Sequence, residues 1–341
     1  MGRPLAQPLK IMSEASFTQT DSRPLVGYDL IGDVHGCAVT LARLLERMGY
    51  RKQRGVYRHP QRRVIFLGDI IDRGPRIREA LHLVHDMVEQ GEALIVLGNH
   101  EFNALTYCRL NAEGEYLRPH TPRYNRQIAE TLEQFAAYPN EWRYFVDWFA
   151  TLPLYLEIPG KKNFSPFRVV HACWDSELIK LHQQHYGNAH FDAAFVQASA
   201  VPGTLAARTK QRLTSGIDMP LPPGISIVSS DGYERTNFRT KFWADNPATY
   251  GELLFQPDPL PDDIACAPIT QHDRAQMAYY GADQPPLFVG HYWLKGNPRP
   301  LAPNLACLDY SAVKYGRLVA YRMDGEAHLA AHKFVWEYVD P

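Results

Sequence analysis

From Val26 onward, short apolar runs alternate with longer stretches in which apolar residues recur every three or four positions. The run YDLI (28–31) breaks at Gly32. VTLARLLERM (39–48) places Val39, Leu41, Leu44, Leu45 and Met48 at largely helical spacing, and Gly49 stops them. VIFL (64–67), β-branched and aromatic, breaks at Gly68. RIREALHLVHDMVEQ (76–90) predicts a helix with Ile77, Ala80, Leu81, Val84 and Val88 on one stripe, Pro75 ahead of it and Gly91 after it. A third strand, ALIVL (93–97), breaks at Gly98. Strand, polar loop, helix, strand is the rhythm of an α/β fold. Ligands in such sheets bind beyond the carboxyl ends of the strands. All three predicted strands end in a glycine followed by Asp or Asn, so the chemistry is expected there.

Residues 101–150 read as mainly helical, and LPLYLEI (152–158) and FRVVHA (167–172) as strands. The stretch 175–285 differs, with helix-like pieces and then the Pro-rich segments PLPPG (220–224) and QPDPLPDD (256–263). It is read as an insertion or cap within a single domain, 26–341. PLFVG (286–290) and NLACLDY (304–310) read as strands, followed by a terminal strand pair. Residues 1–25 mix Pro, Ser, Thr and charge without periodicity or an apolar leader, which predicts a flexible tail.

Composition narrows the class. The 341 residues are 45% hydrophobic, enough for a buried core. With 36 basic against 37 acidic residues, duplex nucleic acid is not an expected partner. No apolar run approaches the roughly 18 residues of a membrane helix, so no membrane partner is expected. The five cysteines (Cys37, Cys108, Cys173, Cys266, Cys307) are scattered without a CxxC pair. That argues against a disulfide framework or thiolate zinc site, and a cytoplasmic setting is expected.

Three motifs carry candidate chemistry. In Gly32-Asp33-Val34-His35-Gly36, Asp and His two apart on an extended strand end point to one side and can reach one ion. The plainer reading is a Gly-Asp turn with Asp33 capping a helix. In Gly68-Asp69-Ile70-Ile71-Asp72-Arg73-Gly74-Pro75, the functional reading is a bridging carboxylate (Asp69), a supporting acid (Asp72) and a phosphate-holding guanidinium (Arg73). The plainer one is a structural Asp–Arg pair. In Gly98-Asn99-His100-Glu101, Asn99 offers a hard neutral ligand oxygen and His100 a proton, against a plain N-cap role for Asn99. Each structural reading is reasonable alone. All three motifs in order, each directly after a short apolar strand, favour the functional set.

GDVHG, GDIIDRG and GNHE resemble the signature of the calcineurin-like metallophosphoesterases. The DRG and GNHE forms are similar to the phosphoprotein phosphatase branch and its bacterial relatives, which include symmetrical dinucleoside tetraphosphatases. The motif-bearing likeness covers roughly residues 26–175 and 286–322. It implies a four-layer α/β/β/α sandwich with 175–285 as an inserted cap-like segment. Two later family histidines match His171 in VVHACWD and His291 in FVGHYW. The resemblance implies one metal on Asp33, His35 and Asp69, and a second on Asp69, Asn99, His171 and His291. His100 matches the family's proton donor, Asp72 its partner and Arg73 its phosphate clamp. Where some members carry GHxH, this chain has Trp293 in place of the last histidine. A further substrate-binding arginine is implied in the middle third; Arg235 and Arg239 are the candidates, with ordinary surface arginines as the other reading. Asp309 matches a supporting acid.

The cofactors implied are two divalent ions, manganese first and iron or zinc otherwise, since every ligand is nitrogen or oxygen. The expected reaction is attack by a hydroxide bridging them on a phosphomonoester of a protein or small molecule. Alternatives are a symmetrical dinucleoside polyphosphate hydrolase and a polynucleotide-end phosphatase. A superfamily nuclease is opposed by the near-neutral charge and missing GHxH, and a non-catalytic scaffold by the complete ligand set. His82 and His85 read as a solvated helix face, and His182, His185 and His190 as a weaker metal alternative. Trp174, Tyr292 and Trp293 flank ligands and read either as stacking groups or as packed walls.

Overall fold

The computed structural model describes residues 25–221, 224–228, 234–256 and 260–339. Apart from Leu25, the predicted tail lies outside the described residues, as do parts of both Pro-rich segments, at 222–223 and 257–259.

Two sheets face one another. In the larger, Gly27–Ile31, Arg62–Phe66 and Ala93–Ile95 run parallel, with Leu30 beside Ile65 and Ile65 beside Leu94. Arg317–Met323 adds antiparallel to Gly27–Ile31 and itself pairs with Asp309–Tyr310 and Phe334–Tyr338. In the second sheet, Phe167–Val170, Leu287–Val289 and Leu305–Cys307 are parallel, and Tyr155–Ile158 closes the edge antiparallel.

The period of two along each strand explains the layers. Leu30, Ile65, Val169, Phe288 and Ala306 point into the cluster between the sheets. Their neighbours Ile31, Val64, Phe66, Val170, Leu287, Val289 and Cys307 point outward under the helices. Both faces of each sheet are thus covered, which is why these strands read as continuous apolar runs. The result is the expected four-layer α/β/β/α arrangement.

The helices form close to where periodicity puts them, at Ala38–Arg47 and Ile77–Glu89. Their stripes shift slightly. Val39 is exposed while Thr40 is buried, and Met87 rather than Val88 completes the inner face of the second helix. The region 101–150 holds three helices, Asn99–Tyr107, Pro122–Phe135 and Pro139–Phe149. The last corrects the reading of His85 as solvated. Its aromatic face covers His85, which lies 5.0 Å from the Trp148 ring, whereas His82 stays 41% exposed, as read, with Nε2 2.7 Å from Glu141 Oε1. A stripe read on one helix carries no record of which other helix packs beside it. An antiparallel hairpin, Arg51–Gln53 with Val56–Arg58, was not anticipated. NLACLDY is also not one strand, because the chain leaves the second sheet at Leu308 and joins the first at Asp309.

The segment 175–285 has two parts. Ser176–Tyr186, Ala193–Ser199 and Leu205–Ser215 are helices whose Ile179, Phe195 and Leu213 join the main core. Beyond them, Asp218–Pro220, Asn237–Thr240 and Leu254–Gln256 form a small sheet over its own cluster of Met219, Phe238, Leu253 and Ile264.

In the middle of the first strand, three residues before Gly32, Asp29 is fully buried. Its carboxylate accepts from Arg62 Nε at 3.0 Å, Arg322 Nε at 3.1 Å and the Tyr50 hydroxyl at 3.0 Å. Removing one member of such a cluster strands the rest. Asp29→Ala should therefore destabilise the fold by about 3–5 kcal/mol, measured by denaturant unfolding. A change within experimental error would mean that Arg62 finds other acceptors.

Candidate active site

The motif loops converge beyond the carboxyl ends of the parallel strands and hold one another. Val34 and His35 donate their amides to the Asp69 carbonyl at 3.0 and 2.9 Å. The His100 amide donates to Asp69 Oδ1 at 3.0 Å, and the His291 amide to both Asp33 oxygens at 3.2 Å. Two glycines are needed for this closeness. A Cβ on Gly98 would lie 2.2 Å from Asp69 Oδ1, and one on Gly290 would lie 2.1 Å from Asp33 Oδ1. His35, Asp69, Asp72, Arg73 and His291 all adopt positive φ, between 41° and 68°. For non-glycine residues this is costly, and it is sustained by the surrounding bonds.

One of those supports is Glu101, whose role was not anticipated. Buried at 1% exposure, it accepts the amides of Asp69 at 2.8 Å, Ile70 at 2.7 Å, Ile71 at 3.2 Å and Gly98 at 3.2 Å. Its place within GNHE was the available signal. It holds the second motif loop against the third.

Two groups of metal-ligating side chains share Asp69. Ligand atoms of Asp69, His171 and His291 lie within 4.8 Å of one another, and so do those of His35, Asp69 and His100. Asn99 Oδ1 adds to the first group, 3.1 Å from His171 Nε2 and 2.8 Å from His291 Nδ1. Asp33 is buried beside them, in electrostatic reach of Asp69, His171 and Asp309. All six predicted ligands are therefore gathered at one place.

The donor set fits divalent ions. His35 Nδ1 lies 2.8 Å from the Ile71 carbonyl, and His171 Nδ1 lies 2.6 Å from that of Leu67. Such bonds fix the Nδ1–H tautomer and turn the Nε2 lone pair toward the site. His291 Nε2 is buried with no hydrogen-bond partner. A buried acceptor left in this way is costly unless something else binds it.

Electrostatics point the same way. Burial alone would raise Asp69, but His171, His100 and His35 hold its carboxyl well below the usual range. Burial raises Asp33 well above its usual value, aided by Asp309 and Asp69. Burial lowers His35, with Arg73 adding to it, and lowers His291, with Arg239 adding to it. His171 goes the other way. Burial opposes its charge, but Asp69 and Asp33 overcome this and raise it to about 10.

Beside the ligands, His100 Nδ1 lies 2.5 Å from Asp72 Oδ2. Asp72 is held by the Thr131 hydroxyl at 2.5 Å and donates its own amide to Thr131 Oγ1 at 3.0 Å. The Arg73 guanidinium spans the site, with Nη1 3.2 Å from His35 Nε2 and Nη2 3.0 Å from His100 Nε2. Trp293 flanks this arginine, its ring centroid 5.1 Å from Arg73 Cζ and 4.1 Å from Lys314 Nζ. It therefore packs against cations. Trp174 and Tyr292 are buried walls at 3% and 0% exposure. His182 and His190 are engaged with backbone carbonyls, and among the described residues neither they nor His185 belong to a ligating group.

A cavity of about 400 Å³ opens over the ligands. Arg235 and Arg239 both line it, joined by Arg73 and by Arg118, Arg123 and Arg126. The carboxylates in its described lining are Asp69 and Asp72. The last three arginines come from the start of the helix Pro122–Phe135 and the loop before it, where no motif spacing marks them. Asp309 is buried, and burial raises its carboxyl; it accepts the Ser311 amide at 2.9 Å.

Residues 28–193 match the model of the calcineurin-like phosphoesterase family. The bis(5'-nucleosyl)-tetraphosphatase PrpE [asymmetrical] of Halalkalibacterium halodurans is 47% identical over 74 residues, 21% of this chain and 30% of that protein. The protein of the same name from Oceanobacillus iheyensis is 33% identical over 154 residues, 44% of this chain and 58% of that protein. The chain thus spans 30% and 58% of the length of these two relatives. A cold-active protein-tyrosine phosphatase of a psychrophilic Shewanella is 16% identical with a TM-score of 0.47, covering 93% of this chain and 81% of that one. A protein serine/threonine phosphatase of Saccharomyces cerevisiae is 15% identical with a TM-score of 0.44, covering 94% and 82%.

Asp69 and Asp33 raise His171 to about 10, so an ion held through its Nε2 should displace a proton. Ion affinity should rise with pH up to about 10. Calorimetric titration of chelator-treated protein with Mn²⁺ at several pH values checks this. A flat affinity profile, with no proton release, would remove His171 from the ligand set.

Proposed function

We propose that this chain, whose residues 28–193 match the calcineurin-like phosphoesterase model, hydrolyses a phosphoester or phosphoanhydride bond with two divalent ions. One would be held by Asp33, His35 and Asp69, the other by Asp69, Asn99, His171 and His291. The observation that carries this reading is the Asp69 carboxylate shared by two buried ligand groups. When bound, the ions supply Lewis acidity that activates water and offsets phosphoryl charge. With nitrogen and oxygen donors throughout, manganese is the first ion to supply.

The chain's own residues account for the rest. Arg73 presents two terminal nitrogens that now bond His35 and His100. Phosphoryl oxygens compete for those donors, since a guanidinium pairs bidentately with them. That exchange frees His100 Nε2, while Asp72 keeps the Nδ1 proton in place. Once freed, Nε2 can take up a proton from solvent, giving an imidazolium paired with Asp72 whose Nε2 proton is positioned to pass to the leaving oxygen.

The cavity favours a small polyanion over a single phosphomonoester. One phosphate monoester carries about −1.5 to −2 charge, which Arg73 and the ions already meet. Five further arginines against two carboxylates, both placed at the ligand cluster, suit a chain of phosphates. This supports the dinucleoside polyphosphate alternative, the substrate class in the names of the two PrpE relatives. Cleavage of diadenosine tetraphosphate into two ADP would match the symmetrical alternative that the family resemblance offered. AMP with ATP would match the asymmetrical mode of those names. No helix among the described residues is long and apolar enough to cross a membrane. The free cysteines suit the cytoplasmic setting expected from the sequence.

Asp69→Asn and His291→Ala should each lower bound metal and abolish turnover; unchanged metal content and rate would overturn the two-ion reading. His100→Ala should lower kcat by about 10²–10⁴-fold with metal content intact. Given Mn²⁺, diadenosine tetraphosphate should exceed a phosphopeptide and an RNA 3′-phosphate in kcat/KM. A phosphopeptide that proves the best substrate would reject the polyanion assignment.

A further inference from the structure

A second cavity, of about 240 Å³, adjoins the first and shares Arg123, Arg235, Arg239 and Trp293 with it. Its remaining described lining is Asp218, Glu234, Thr236 and Asn237. The small sheet of the inserted segment builds this wall. Asp218 stands opposite Arg239, and Met219 opposite Phe238, on paired antiparallel strands. Opposed residues share a face, and faces alternate along a strand. Met219 and Phe238 therefore turn into the segment's own core, and Asp218, Asn237 and Arg239 turn to the other side.

The two compartments differ in charge. Among the described lining residues, the first has six arginines against two carboxylates, and the second three against two, with a hydroxyl and an amide added. A phosphate chain is drawn to the first. In the second, a cationic group meets three arginines, and a further anion meets two carboxylates. A neutral group carrying several hydrogen-bond donors suits it better than either. Asp218 has capacity to accept from one: among the described residues its nearest side-chain donors are Gln211 Nε2 at 3.5 Å and Arg239 Nε at 3.8 Å, at or beyond hydrogen-bond range. Arg239 Nε is itself buried without a hydrogen-bond partner.

We infer that the second cavity is the subsite for the neutral, hydroxyl-bearing head group of the substrate, of sugar or nucleoside type, with Asp218 accepting from its donors. This rests on the phosphohydrolase reading only in placing the phosphates over the ligand cluster. The head group enters past Trp293 and the three shared arginines, so that one molecule spans both cavities.

The test separates head group from phosphate. Asp218→Ala should raise KM for diadenosine tetraphosphate about tenfold, the loss of one charge-assisted hydrogen bond. Its kcat, and its turnover of p-nitrophenyl phosphate, should be unchanged. Asp218→Asn, which keeps an acceptor oxygen, should fall between. In chelator-treated protein, calorimetry should show ATP binding weakened by the same factor and inorganic tripolyphosphate binding unaffected. Asn237→Ala provides a second variant on the same sheet face should Asp218→Ala fail to fold. Equal loss for ATP and tripolyphosphate, no loss for either, or a KM shift confined to a phosphopeptide would each overturn the subsite. If the wild-type protein turned over no substrate while the selective loss of ATP binding persisted, the hydrolase reading would fail and the subsite would stand.

Discussion

A carboxylate buried as deeply as that of Asp69 stays ionised only if other groups replace the water it has lost. Here the replacement comes from the rings of His35, His100 and His171 and from the amide of His100. Each group belongs to a different strand end or the loop beyond it. The charge therefore ties the three motif loops and the strand end at His171 to one point. Glu101 does the same for the backbone, gathering four amides from two loops on one carboxylate. A second buried acid, Asp33, is bound by the backbone of the last loop, at His291.

That convergence has a conformational cost. Five functional side chains sit at positive φ, a region in which each non-glycine residue is strained by of the order of 1–3 kcal/mol. The parallel strands beneath are covered on both faces and supply the rigidity that holds such loops in place. A site on flexible connections would relax out of this geometry. Close approach, not strain, requires the glycines beside the ligands, since Gly98 and Gly290 lie where any side chain would collide with Asp69 or Asp33.

Around this fixed centre the cavities grade from strongly cationic to nearly balanced. Trp293 stands where they meet and packs against Arg73 and Lys314. Its position was the main departure from the GHxH form, and the ring takes up the side of Arg73 that a smaller residue would leave exposed. The segment 175–285 divides between core and cavity. Its helices extend the main core, while its small sheet, with a separate core, lines the second cavity.

The sequence by itself determined the parallel strands, the helices between them and the placement of ligands just beyond strand ends. These follow from periodicity and glycine stops within windows of a few residues, and local backbone physics suffices to read them. His171 and His291 needed the family resemblance, because a single histidine after a strand has no local signature of ligation. Only the tertiary structure decided which charges share a cavity. Arg118, Arg123 and Arg126 precede or begin a helix far in sequence from Arg235 and Arg239, yet all five line one space with Arg73. Likewise, His85 looked solvated until an aromatic helix some sixty residues away closed over it. Electrostatic fields and packing depend on distances between elements, and no pattern along one element records them.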